Sequence, residues 1–66
     1  MIVSFYKNRA RNGSLFLVKK DLNAIPPIGS IIYFNAVQFK VMRIILDITD
    51  DMEPEYYIYL EKSKIL

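Results

Sequence analysis

The chain has no cysteine, no histidine and no tryptophan, and only two glycines and three prolines in 66 residues. Without cysteine, no disulfide can tie the fold together, and the absence agrees with a cytoplasmic protein. Without cysteine and histidine, no Cys/His metal site can be built. The commonest general bases and nucleophiles of enzymes are also missing, and Ser4, Ser14, Ser30 and Ser63 have no evident activating base. Two glycines leave no glycine-rich phosphate loop. Asp47, Asp50, Asp51 and Glu53 could offer oxygens to a hard cation. They lack the central glycine and terminal glutamate of a calcium loop, so a solvated acidic turn is expected there. Long apolar runs are absent as well. None exceeds about five residues, which is strand length, and Met1–Tyr6 has no basic region leading into an apolar stretch. Neither a signal peptide nor a membrane span is expected. These absences predict a non-enzymatic protein without cofactor or metal.

What is present is apolar and aromatic. The apolar fraction is 53%, with five tyrosines and four phenylalanines. Residues 1–66 form one domain. A domain this short buries only ~60% of the surface its unfolded chain exposes. It therefore needs a dense core or a partner's surface, and some of its nine rings must reach the outside. Little room is expected for a pocket of the ~300 Å³ or more that small ligands use.

Charge is segregated along the chain. Residues 1–43 carry Lys7, Arg9, Arg11, Lys19, Lys20, Lys40 and Arg43 against Asp21 alone, a balance of +6. Residues 44–66 carry Asp47, Asp50, Asp51, Glu53, Glu55 and Glu61 against Lys62 and Lys64, a balance of −4. A basic and an acidic patch on one small body follow, serving either a polar contact or solubility.

The pattern of β-formers and turn residues predicts five strands: Ile2–Tyr6, Leu15–Lys19, Ser30–Phe34, Val37–Ile48 and Glu55–Glu61. Lys7–Ser14, with Asn12-Gly13, reads as a loop. Lys20–Ile25 reads as a connection that tolerates one helical turn before Pro26-Pro27 enforces extended backbone. Asn35-Ala36 is placed as a two-residue hairpin turn, although a type I′ turn prefers glycine second. That turn sets Ile32 opposite Phe39 and Phe34 opposite Val37 on the core face, and Tyr33 opposite Gln38 and Ile31 opposite Lys40 on the other. In the fourth strand the apolar positions change parity, from Val37, Phe39 and Val41 to Ile44, Leu46 and Ile48. A period of two cannot change parity without an extra residue, so a bulge is predicted at Val41–Met42–Arg43. The fifth strand alternates cleanly, with Tyr56, Ile58 and Leu60 inward and Glu55, Tyr57, Tyr59 and Glu61 outward. The expected fold is all-β: a single five-stranded antiparallel SH3-like barrel or strongly bent sheet.

The segment Ile25-Pro26-Pro27-Ile28-Gly29-Ser30-Ile31-Ile32, followed by the hairpin and Phe39-Lys40-Val41, resembles a pattern in small uncharacterised phage and bacterial proteins with SH3-like barrels. In that pattern a Pro-x-x-Gly turn leads into a strand, a hairpin and an aromatic-x-Val strand. Pro26 with Gly29 supplies the spacing, and Ala36 departs from the glycine usual in the turn. The resemblance implies a small barrel of mobile-element origin and no particular activity.

Protein binding is the function these features suggest first, with a host or virion protein as partner. Tyr57 and Tyr59 project from one face of the fifth strand between Glu55 and Glu61, and Ile31 and Tyr33 project from the third. Tyrosines with a charged rim suit interface anchors. The alternative is nucleic-acid binding through Lys7, Arg9, Arg11, Lys19 and Lys20, and a third reading is a homo-oligomer in which basic and acidic halves meet.

Overall fold

The computed structural model describes residues 1–9 and 13–63. The strands are β1 (Ile2–Arg9), β2 (Gly13–Asp21), β3 (Ile31–Phe34), β4 (Val37–Asp47) and β5 (Glu55–Lys62). No helix among the described residues is long and apolar enough to cross a membrane. The first hairpin is longer than its sequence suggests: Lys7 pairs with Leu15 and Asn8 with Ser14, so strand pairing absorbs most of the expected loop. Residues 10–12 and 64–66 lie outside the described residues. At 20–25 there is no helical turn. Lys20 and Asp21 complete β2 opposite Val3 and Ile2, and the Leu22 N–H donates to the Met1 carbonyl at 2.8 Å.

The strand order is β2-β1-β5-β4-β3. Three of the pairings are antiparallel, but β1 and β5 run parallel, with Val3 beside Tyr56 and Phe5 beside Ile58. The expectation of a wholly antiparallel sheet is corrected at this one seam. A parallel pair needs a long crossover, and here the crossover is all of β2, β3 and β4. The sheet curls into a half-barrel whose edges, β2 and β3, do not pair.

The hairpin forms in the predicted register, from Ile31 opposite Lys40 to Phe34 opposite Val37. Asn35 and Ala36 both take positive φ, 49° and 67°, the signature of a type I′ turn. The turn into β3 is equally local. The Ser30 N–H donates to the Pro27 carbonyl at 3.1 Å, and Gly29 between them has φ 89°. That is type II geometry, which requires the freedom of glycine at this position. Along β4 the register shifts between Val41 and Arg43, so the bulge lies where the parity change demands it. Val41 faces Leu60 and Ile44 faces Ile58, while Arg43 and Ile45 turn to the opposite face beside Tyr59 and Tyr57.

The inner face of the curl carries the core: Val3, Phe5, Phe39, Val41, Ile58 and Leu60 are buried, four of them completely. Each such side chain contributes ~1.5–3 kcal/mol by leaving water. The Leu22–Ser30 connection covers this face, with Leu22 and Ile25 packed on the core. Closure is incomplete. Between the edges and the covering loop lies a cleft of about 570 Å³, larger than the sequence leads one to expect, because β2 and β3 leave the interior open on one side.

Candidate functional site

The outer face of the sheet holds a single row of large side chains running across four strands. Register places Phe16 of β2 beside Tyr6 of β1, Tyr6 beside Tyr59 of β5, and Tyr59 beside Arg43 of β4. Neighbouring strands are ~4.7–4.9 Å apart, a spacing that brings such neighbours into contact. The Tyr6 and Phe16 rings meet edge-on with centroids 5.6 Å apart. The Tyr6 and Tyr59 rings stack at 5.3 Å. The Arg43 guanidinium lies 4.5 Å from the centre of the Tyr59 ring, within the range of a cation–π contact. Tyr57 joins from one row below, 6.1 Å from Tyr6 and edge-on. Ser4, between Lys19 and Tyr57 in register, is 2% exposed. On a face otherwise open to solvent, that burial shows how closely the side chains around this small residue cover it.

Two bulges deliver the ends of the row. The shift beside Phe5 and Tyr6 gives β2 one extra residue, Leu17, which packs against the core and leaves Phe16 on the outer face. The shift after Val41 does the same for Arg43. Bulges that re-aim side chains in this way are common beside functional surfaces.

Below the row lies an acidic cluster, Glu55 and Asp47, of which Glu55 is paired. Glu55 accepts from the Tyr57 hydroxyl at 3.2 Å and pairs with Lys19 at 3.6 Å. The Tyr57 hydroxyl also lies 3.4 Å from Asp47 Oδ2. The hydrogen bond to Glu55, then partial burial, then the negative charges of Glu55 and Asp47 hold the Tyr57 phenol above its ordinary pKa. Tyr57 is thus fastened to the acidic end of the sheet, and Glu55 is engaged within the fold.

The predicted anchors are therefore unequal. Tyr57 and Tyr59 are half-buried within a four-ring cluster. Glu61 is exposed and aligns with Lys40 and then Ile31 across the sheet. Ile31 and Tyr33 are exposed, and the Tyr33 hydroxyl donates to Gln38 at 3.0 Å. They extend the outer face toward the β3 edge, away from the ring cluster. Of the basic residues named for nucleic acid, the described ones, Lys7, Lys19 and Lys20, do not share one face. Lys19 points outward and is paired with Glu55, while Lys20, its neighbour in a strand, lines the inner cleft. Lys7 is half-buried and in register with Leu60 on the core side. Arg11 and the Arg9 side chain lie outside the described residues. Among those described, no three carboxylates cluster closely enough to hold a metal ion.

Tyr6, Phe16 and Arg43 are the site residues that sequence reasoning missed. Alternation against Val3 and Phe5 already turns Tyr6 outward, and the parity change already turns Arg43 outward. Only the adjacency of β1 and β5 assembles them. No protein family, curated protein or solved structure matches the chain.

Proposed function

We propose that this protein is a non-enzymatic binding module that engages another protein through the outer face of its sheet. The observation that supports this reading most is the uncovered row Phe16–Tyr6–Tyr59–Arg43, in which Phe16 remains 52% exposed although its ring packs edge-on against Tyr6. Rigid aromatic side chains and an arginine are the residue types that dominate binding energy at interfaces. Here they are preorganised by contacts within the fold, which lowers the entropic cost of association. Ile45, 38% exposed, borders the cluster, and Ile31 and Tyr33 extend the surface toward β3. The resemblance to small phage and bacterial barrels points to a host or virion protein as partner, with steric blocking or assembly as the mechanism.

The test is affinity capture from the native host with quantitative mass spectrometry, comparing the wild type with Phe16→Ser/Arg43→Ser. Both side chains are exposed, so the variant keeps its core. Binding of a partner through this face should weaken by at least about 30-fold, the loss of a single hot-spot residue of ~2 kcal/mol. Equal recovery with both proteins overturns the reading. Retention of a single-stranded probe that salt abolishes would favour nucleic acid instead. Sedimentation as a concentration-dependent oligomer, reversed by the same substitutions, would make the partner a second copy.

A further inference from the structure

The inner cleft offers a second site, independent of the outer face. Its lining is mostly apolar, with Phe5 and Leu60 as floor, Val18, Leu22, Ile32 and Phe34 around them, and Asn35 at the turn end. Its volume of about 570 Å³ falls within the ~300–1,000 Å³ of small-ligand sites. Lys20 is the one charged residue of the lining. It stands on edge strand β2 opposite Val3, and among the described residues no carboxylate forms an ion pair with it. Tyr33 also borders the cleft, but its hydroxyl is engaged by Gln38, its partner across the hairpin.

We propose that this cleft binds a monomeric anionic amphiphile, an apolar chain ending in a carboxylate, with the chain on the inner face and the carboxylate on Lys20. The argument rests on complementarity. An apolar cavity of this size favours an apolar body, because removing such surface from water is favourable in proportion to its area. A single cation on a mostly apolar wall selects one anionic group. A lone ammonium acts as a point charge and lacks the fork of donors that singles out phosphate, so a singly charged carboxylate fits better than a phosphate ester. The open side between β2 and β3 admits the ligand without unfolding the core, and the Leu22–Ser30 connection supplies the opposite wall.

The experiment is an amide and methyl NMR titration of the full chain with decanoate below its micelle concentration. Decanol, decyltrimethylammonium and acetate serve as comparisons. Saturable shifts at Val18, Leu22, Ile32 and Leu60 are expected with decanoate, and none with acetate. Lys20→Gln, at an exposed position, should weaken decanoate roughly fivefold, the upper range for an exposed ion pair, and decanol should bind the wild type no better than decanoate binds that variant. Decyltrimethylammonium should be weaker still. Absence of saturable shifts, shifts confined to the Phe16–Tyr59 face, or unchanged affinity in Lys20→Gln would overturn the proposal. So would contacts placing the Ile65 or Leu66 methyls against Ile32 and Leu60 in the free protein, since the chain would then be its own occupant.

Discussion

Replacing Ala36 by glycine should stabilise the protein. Ala36 has φ 67° at the second position of the β3–β4 turn. For an L-residue the left-handed region costs roughly 1–2 kcal/mol, because Cβ crowds the following carbonyl oxygen. Glycine removes that cost but adds conformational freedom to the unfolded chain, a penalty of ~0.4–1 kcal/mol. Ala36 is exposed, so its methyl contributes little packing that could be lost. The net expectation is a gain of about 0.5–1 kcal/mol, or roughly 2–8 °C in Tm for a domain of this size. Urea and thermal unfolding, followed by circular dichroism and tyrosine fluorescence, measure it. Ala24→Gly is the matched control. Ala24 is also exposed but is not among the positive-φ residues, so it carries only the unfolded-state penalty and should lower stability by ~0.4–1 kcal/mol. If Ala36→Gly lowers the midpoint as Ala24→Gly does, the type I′ geometry assigned to this turn is wrong.

Deleting Met42 should abolish cooperative unfolding, because one half of β4 would then have to turn polar side chains inward; Met42→Ala, which keeps the residue count, should cost about 1 kcal/mol or less at a site already 41% exposed. Ile58→Ala, at a fully buried position, should cost ~2–5 kcal/mol, which is comparable to the whole stability of a chain this short, so its unfolding midpoint should fall below ambient temperature or its spectrum should be that of an unfolded chain. Tyr57 should ionise above the ordinary tyrosine value in an alkaline absorbance titration, since its phenol is raised in the folded state. The stability it contributes is fully present below the ordinary tyrosine pKa of ~10 and is lost as pH rises through the raised folded value; Tyr57→Phe should remove that component of the alkaline transition, and an unchanged transition would show that the Glu55 and Asp47 contacts do not persist in solution.

Much of this fold could be read from the sequence, because its strongest signals are local. Asn35-Ala36 between two apolar strands fixes a hairpin register whatever surrounds it, and that register is observed. The bulge after Val41 follows from parity alone. The strand order was not legible, because no local pattern states that β5 inserts between β1 and β4, parallel to one and antiparallel to the other. Strand ends were misread where charge disguised pairing. Lys7, Asn8 and Lys20 look like loop residues, yet they continue the β1–β2 ladder. Lys19 and Lys20 part for a related reason: they are adjacent in sequence, but alternation sends them to opposite faces of one strand.

The unread strand order is also what converts separate residues into a surface. Tyr57 and Tyr59 alone are two half-exposed rings on one strand. With β1 parallel beside β5, Tyr6 falls level with Tyr59; a one-residue slip would place Phe5 or Lys7 there instead. The bulge in β2 then extends the row to Phe16, and the bulge in β4 extends it to Arg43. Remove either bulge and the row is cut short, because period-two alternation would return Leu17 or Met42 to the position beside the rings. Both irregularities act on the inner face as well. The residue inserted in β2, Leu17, packs on the core, and the shift in β4 lets Ile44 follow Val41 on the inner side, beside Ile58. The same two insertions that widen the outer aromatic row therefore also fill the core of a sheet that never closes.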